Sequence, residues 1–131
     1  AYIQQERFGD RLHINWELEE TDFVLIPPLS LQTIVENAIH HGVLQKPEGG
    51  TVTIRAQKGP NGIEISVTDD GVGMDHEQVK QVLIAKPDKK RGIGLINTEL
   101  RLQNQFGKGL KIVSKKNVGT KISFVVPNVN R

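Results

Sequence analysis

The sequence predicts an α+β domain, a two-layer sandwich of about five strands in a mostly antiparallel or mixed sheet with three helices on one face. Three observations predict it. Two alternating runs, Val52, Ile54, Ala56 and Ile63, Ile65, Val67, flank Gly59-Pro60-Asn61-Gly62, a hairpin signal. Leu31, Ile34, Val35 and Ala38 recur at i, i+3, i+4 and i+7, the stripe of an amphipathic helix. Two further strand-like runs, residues 110–115 and 120–126, follow each other directly across a turn marked by Asn117 and Gly119.

Composition bounds the function. A chain of 131 residues is in the single-domain range and long enough to bury one core. Its 37% hydrophobic and 24% charged fractions are those of an ordinary water-soluble protein, and no apolar run approaches the ~18 residues a membrane span needs. The absence of cysteine excludes disulfides, thiolate catalysis and Cys-based zinc sites, and fits a reducing, cytoplasmic setting. A net charge of +2 gives little reason to expect a nucleic-acid partner. The polar start, Ala1-Tyr2-Ile3-Gln4-Gln5-Glu6-Arg7, is no signal peptide and reads as a cut through a longer chain.

In chain order, residues 2–8 mix helix-compatible polar residues with Tyr2, Ile3 and Phe8. They are expected to be the end of a helix that Gly9-Asp10 stops. Leu12, Ile14 and Trp16 alternate with polar residues as a half-buried strand. Pro27-Pro28 opens the helix of the Leu31 stripe, since a first turn needs no amide donor. Its polar side carries Thr33, Glu36, Asn37, His40 and His41, and Gly42 is a natural stop. The 51–67 hairpin follows, then a short helical stretch around Val79, Val82 and Leu83. Next comes Lys86-Pro87-Asp88-Lys89-Lys90-Arg91, which has nothing to bury and reads as a flap. From Gly92 to Phe106 helical character resumes, with Leu95, Leu102 and Phe106 near one face and Glu99 largely outside it. Ile122, Phe124 and Val126 then mark one face of the last strand.

Four short motifs carry chemistry. Asn37 offers an amide oxygen, a hard neutral donor suited to Mg²⁺, from a helix otherwise dense in apolar residues. Asp69, at a strand end, can accept a hydrogen bond from a purine amino group, while Gly71 and Gly73 let the backbone approach a ring without a Cβ in the way. Gly92-Ile93-Gly94-Leu95 opens a helix whose free amides and dipole favour an anion. Lys89-Lys90-Arg91 before it has two readings, neutralising phosphate charge or forming a solvated lid surface. Gly119-Thr120 begins the last strand. No G-x-x-x-x-G-K-[ST] sequence exists, and His76-Glu77-Gln78-Val79-Lys80 has Lys where a zinc-binding helix needs its second His.

The order and spacing of these motifs resemble the GHKL superfamily of ATP-binding domains, which includes gyrase-type ATPases, Hsp90, MutL and sensor histidine kinases. The resemblance implies the Bergerat-type ATP-binding fold. It makes Glu36 to Gly42 an N box, with Asn37 on the magnesium ion that bridges the phosphates and His40 and His41 on the nucleotide side. Asp69, Gly71 and Gly73 become the G1 box, with Asp69 rather than Asp70 reading the adenine amino group. Gly92, Gly94 and Leu95 become the G2 box behind an ATP lid, and Thr120 assists Asp69 through an ordered water.

Members that hydrolyse ATP place an acidic residue one helical turn before the motif Asn. Here Thr33 stands there, and a hydroxyl of ordinary pKa is a poor general base. Phosphoryl transfer to a histidine supplied elsewhere is therefore expected. Ile26-Pro27-Pro28-Leu29-Ser30-Leu31-Gln32 and Gly92-Ile93-Gly94-Leu95-Ile96-Asn97-Thr98-Glu99-Leu100-Arg101-Leu102 resemble bacterial sensor histidine kinases of the LytS type. By that resemblance residues 1–11 end a linker helix from a dimerisation and phosphoacceptor domain, and 12–131 form the catalytic domain. ATP and Mg²⁺ are the cofactors, and Asn97 takes a nucleotide-side role. The partners are the phosphoacceptor domain of a homodimer and a downstream response regulator, on the cytoplasmic side of a membrane protein. Two departures stand out: His40 replaces a more usual Lys, and Thr33 a common Pro. Glu36 either polarises the incoming imidazole as a catalytic residue or faces solvent. A nucleotide-sensing module without catalysis and a GHKL serine kinase or ATPase are the alternatives.

Overall fold

The structure, a computed structural model, describes residues 2–8, 11–18, 28–60, 62–82 and 93–127. Its strands are β1 (Tyr2–Phe8), β2 (Leu12–Leu18), β3 (Gly50–Gly59), β4 (Gly62–Asp69), β5 (Lys111–Lys115) and β6 (Gly119–Pro127). They form one sheet in the order β1-β2-β3-β4-β6-β5. Only β2 and β3 run parallel, because α1 (Pro28–His41) and a 3-10 turn (Val43–Gln45) lie between them in the chain; all other neighbours are antiparallel. Among the described residues two further helices follow, α2 (His76–Val82) and α3 (Ile93–Phe106).

Among the described residues the sheet thus has six strands against the expected five or so, and β1 corrects the helix expected at residues 2–8. That segment is β1, paired with β2 along its whole length from Tyr2↔Leu18 to Phe8↔Leu12. Gln, Glu and Arg are good helix formers, but propensity is a weak prior and a complete ladder of backbone hydrogen bonds on the free side of β2 outweighs it. Residues 9 and 10, expected to stop a helix, lie outside the described residues.

Register puts the apolar residues in cross-strand rows. Ile14 faces Val52, Ile54 faces Val67, Val67 faces Ile122, and Ile65 faces Phe124, so alternation within each strand becomes one continuous apolar face. Val52 and Ile54 are wholly buried there. The opposite face carries rows such as Thr53, Thr68 and Lys121, with Arg55 paired to Glu17 at 2.9 Å. A mostly antiparallel sheet tolerates water on one side.

The helices cover the apolar face. Ile34 and Ala38 of α1 are buried against β3, β4 and α3, and Val35 and Ile39 pack beside them. In α3, Leu95, Thr98 and Leu102 form the buried stripe, with Phe106 against the same cluster. Gly107 follows at φ 79° and donates its N–H to Gln103 O, a glycine stop. Glu99, expected outside, is half-buried, and its carboxylate accepts the N–H of Leu110 and holds the loop into β5. The short α2 starts on a reciprocal cap: Asp75 Oδ1 accepts the Gln78 N–H at 2.8 Å, and Gln78 Oε1 accepts the Asp75 N–H at 2.9 Å.

Candidate functional site

At the end of β4 two adjacent aspartates part company, because successive strand residues point to opposite faces. Asp69 is only 6% exposed and its Oδ1 accepts the N–H of Gly71 at 2.8 Å. Asp70 is exposed; its Oδ1 accepts the Thr51 N–H at 2.7 Å and its carbonyl accepts from Lys46 Nζ at 2.9 Å. Asp70 thus secures the start of β3, and the Asp69 carboxylate sits under the helices.

The chain after α1 closes onto this carboxylate. A Cβ on Gly42 would stand 2.7 Å from Asp69 Oδ1 and 2.6 Å from Ala38 O, and one on Gly71 would stand 2.2 Å from the Gly42 carbonyl carbon. Val72 N–H reaches Gly42 O at 3.3 Å. The helix end and the turn after β4 therefore touch backbone to backbone, and only glycine fits. The sequence offered Gly42 as a helix stop and as the end of the N box, with no contact to Asp69. Its place at the end of the Glu36 to Gly42 block was the available signal.

The β5–β6 hairpin forms the third side. Thr120, 7% exposed, is the register partner of Asp69. Gly119 approaches so closely that a Cβ on it would lie 2.0 Å from Asp69 O, and its φ of 145° favours glycine as well. Gly73, at φ 66°, lies equally close to Lys115 O. Ser114, which no sequence signal singled out, accepts the Met74 N–H at 2.8 Å and lies 2.7 Å from Thr120 Oγ1. Asn117 N–H donates to Val72 O at 2.6 Å. The glycine turn is thus stapled to the hairpin.

Asn37 is half-buried on α1. It precedes Gly42 by five residues, about 7.5 Å along the axis, so it belongs to the same end of the sheet as Asp69. Thr33, one turn earlier, is half-buried too. Glu36 and His40 are exposed: the Glu36 carboxylate accepts from Gln32 Nε2 at 3.0 Å, and the His40 carbonyl accepts from Gln45 Nε2 at 2.9 Å. His41 is half-buried. Gly94 lies in the first turn of α3, which packs on α1; Leu95 is buried and Asn97 exposed. The structure therefore gathers Asp69, Gly71, Gly73 and Thr120 into one cluster beside α1, and leaves Glu36, His40 and Asn97 on the surface. Gly92, Lys89, Lys90, Arg91 and the expected lid lie outside the described residues.

Arg11 braces this end from outside, donating at 2.8 Å to both Leu44 O and Lys46 O in the loop between α1 and β3. Among the described residues no three His, Cys, Asp or Glu side chains gather as a metal cluster. A single amide oxygen such as that of Asn37 suits an ion that takes its other ligands from water and phosphate, the habit of Mg²⁺.

A mixed sheet backed by helices, with a buried carboxylate framed by glycine turns at the strand ends, defines a nucleotide-binding class of domain. Residues 27–130 match the family described as histidine kinase-, DNA gyrase B-, and HSP90-like ATPase, and the chain belongs to that family. It is similar to the sensor histidine kinase YpdA of Escherichia coli (strain K12), 38% identical over 127 residues, covering 96% of this chain and 22% of that protein. It is also similar to the sensor protein LytS of Bacillus cereus, 32% identical over 130 residues, covering 95% of this chain and 22% of that protein. The chain spans about a fifth of the length of these relatives. Its fold is similar to the catalytic domain of histidine kinase ThkA in a nucleotide-free form, with a TM-score of 0.62 at 20% identity over 88% of this chain and 69% of that one. The histidine kinase domain of the Erythrobacter litoralis EL346 blue-light activated kinase gives 0.64 at 19% over 92% and 56%. Among the described residues no helix is long and apolar enough to cross a membrane.

Proposed function

We propose that this chain is the ATP-binding catalytic domain of a two-component sensor histidine kinase, and that it moves the γ-phosphate of ATP to a histidine on a separate helical domain. The observation that carries this reading is the buried Asp69 carboxylate, closed in by Gly42, Gly71 and Thr120, beside a helix that bears Asn37 but has Thr33 where hydrolysing relatives need an acid. Asp69 accepts from the adenine amino group, Thr120 supports it, and Gly71 and Gly73 keep the ring's approach clear of side chains. Leu95 packs at the start of α3, where Gly94 would offer its amide to phosphate, and Gly92 keeps its G2-box role by resemblance alone. Asn37 would hold Mg²⁺, which when bound supplies charge neutralisation on the phosphates.

In the transfer, the bond from the γ-phosphorus to the β–γ bridging oxygen breaks and a bond to the imidazole nitrogen forms, the leaving ADP keeping the electron pair. This chain contributes mostly position and electrostatics. The exposure of Glu36 lets an incoming imidazole reach it, and of its two readings we favour that of the residue that polarises the ring. His40 and His41 complete the N-box side. Asn97, exposed on α3, is proposed to lie on the nucleotide side.

The whole protein is proposed to be a homodimer with a membrane sensor, this domain on the cytoplasmic side, and a response regulator downstream. Residues 1–11 are proposed to lead in from the phosphoacceptor domain. With β1 forming the outer strand beside β2, that connection would run along the sheet edge.

The test separates kinase from ATPase. The 131-residue chain alone should neither release phosphate from ATP appreciably nor label itself. Adding the phosphoacceptor region in trans, at high concentration to offset the missing tether, should give an acid-labile, base-stable phosphoramidate. An acid-stable product would mean serine transfer, nucleotide binding with no transfer would mean a sensing module, and rapid release of phosphate by the chain alone would mean an ATPase.

A further inference from the structure

We propose that Ser114 is a positioning residue that sets base selectivity, by holding the Thr120 hydroxyl and the turn after Asp69 in one fixed relation. This rests on the reading of Asp69 and Thr120 as the adenine-reading pair and goes beyond it. Ser114 lies on β5, the edge strand opposite β1, and is the register partner of Thr120 on β6, which is in turn the partner of Asp69 on β4. The three side chains therefore stand in one row across three strands, on the helix-covered side.

The single Ser114 hydroxyl meets three groups. Its oxygen accepts the Met74 N–H at 2.8 Å, its proton has Gly119 O at 3.0 Å, and Thr120 Oγ1 is 2.7 Å away. A hydroxyl has one proton and two lone pairs, so these contacts use its whole capacity. A threonine hydroxyl with no such neighbour rotates among staggered positions; the short contact with Ser114 selects one. The Met74 contact does something different. Met74, 1% exposed, directly follows the Gly71 to Gly73 turn, and that turn donates the Gly71 N–H to Asp69 Oδ1. Through Met74, Ser114 ties the hairpin bearing Thr120 to the turn that orients the Asp69 carboxylate. The two oxygens that face the base are thus aligned by one side chain that does not touch it.

The test reads selectivity, which loss of folding alone does not change. Competition against a fluorescent ADP analogue measures the relative affinity for ADP and inosine 5′-diphosphate, whose base differs from adenine only at positions 1 and 6. Ser114→Ala should shrink the preference for ADP by about three- to tenfold, the scale of one hydrogen bond, and Ser114→Thr, which keeps the hydroxyl, should restore it. In a Thr120→Val background, Ser114→Ala should shrink the preference by clearly less, because only the tie through Met74 is then left to lose. Equal weakening of both nucleotides by Ser114→Ala, or an undiminished effect in the Thr120→Val background, would overturn the positioning role and leave only a structural one. If the unsubstituted chain shows no preference for ADP, the adenine reading itself fails and this inference with it; a preference that survives Ser114→Ala removes this inference alone.

Discussion

Gly42→Ala tests the architecture of the site through a residue expected to contact no ligand. The φ of Gly42 is −112°, so the substitution meets no left-handed strain, and its cost is a matter of space. The new Cβ would lie 2.6 Å from Ala38 O, 2.7 Å from Asp69 Oδ1 and 2.9 Å from Asp69 Cγ, well inside the ~3.5–4.0 Å at which such atoms rest. The Ala38 carbonyl is held within α1, so Gly42 must move off it while the Asp69 carboxylate turns from the new Cβ, and in turning the carboxylate gives up the 2.8 Å bond from Gly71 N–H. Overpacking of this kind costs about 1–3 kcal/mol of stability. Displacing a charged acceptor from its donor removes roughly 1.5–3 kcal/mol of binding, about a ten- to hundredfold loss. Calorimetric titration with ADP and a thermal melt measure the two separately. Gly107→Ala is the control: at φ 79° with nothing within 4 Å of the added Cβ, it costs about 1–2 kcal/mol of strain and should leave ADP affinity intact. A folded Gly42→Ala chain that binds ADP as tightly as the unsubstituted one would refute the argument that this carboxylate reads the base.

Asp69→Asn should weaken ADP about ten- to a hundredfold, since a charged acceptor is replaced by a neutral one; an unchanged titration would move base recognition elsewhere. Binding of ADP should weaken on adding EDTA, and Asn37→Ala should remove most of that metal dependence; binding by the unsubstituted chain that ignores EDTA would cancel the role of Asn37. Leu102, wholly buried on α3, should cost about 2–5 kcal/mol when cut to Ala, read by denaturant unfolding, and a much smaller loss would mean the site collapses around the gap.

Much of this architecture was legible because side-chain spacing is a local property. The alternation in residues 51–67 and the turn within it define the β3–β4 hairpin as found, with Gly59 opposite Gly62. The stripe from Leu31 to Ala38 lies buried on α1, and Leu95 and Leu102 do so on α3. The site was legible as motifs only. Asp69, Gly71, Gly73 and Thr120 were named in advance, and they meet at one end of the sheet. The contact of Gly42 with Asp69 and the role of Ser114 were not legible, for opposite reasons. Gly42 had a sufficient local explanation as a helix stop, and a serine on an exposed-looking edge strand had no local pattern at all.

By itself the sequence determined which residues alternate, which recur at helical spacing, where glycine and proline break the elements, and which short motifs accompany one another. Tertiary structure alone decided that residues 2–8 join the sheet as β1 despite their helix-compatible composition, that β2 and β3 run parallel, and that β6 rather than β5 lies beside β4. It also decided that Gly42 presses on Asp69 and that Ser114 spans Met74 and Thr120. The physical reason is the same in each case. Periodicity states which face of an element is apolar, but which neighbour covers that face, and which backbones come within a few ångströms, depends on how surfaces distant in sequence pack together once the chain has collapsed.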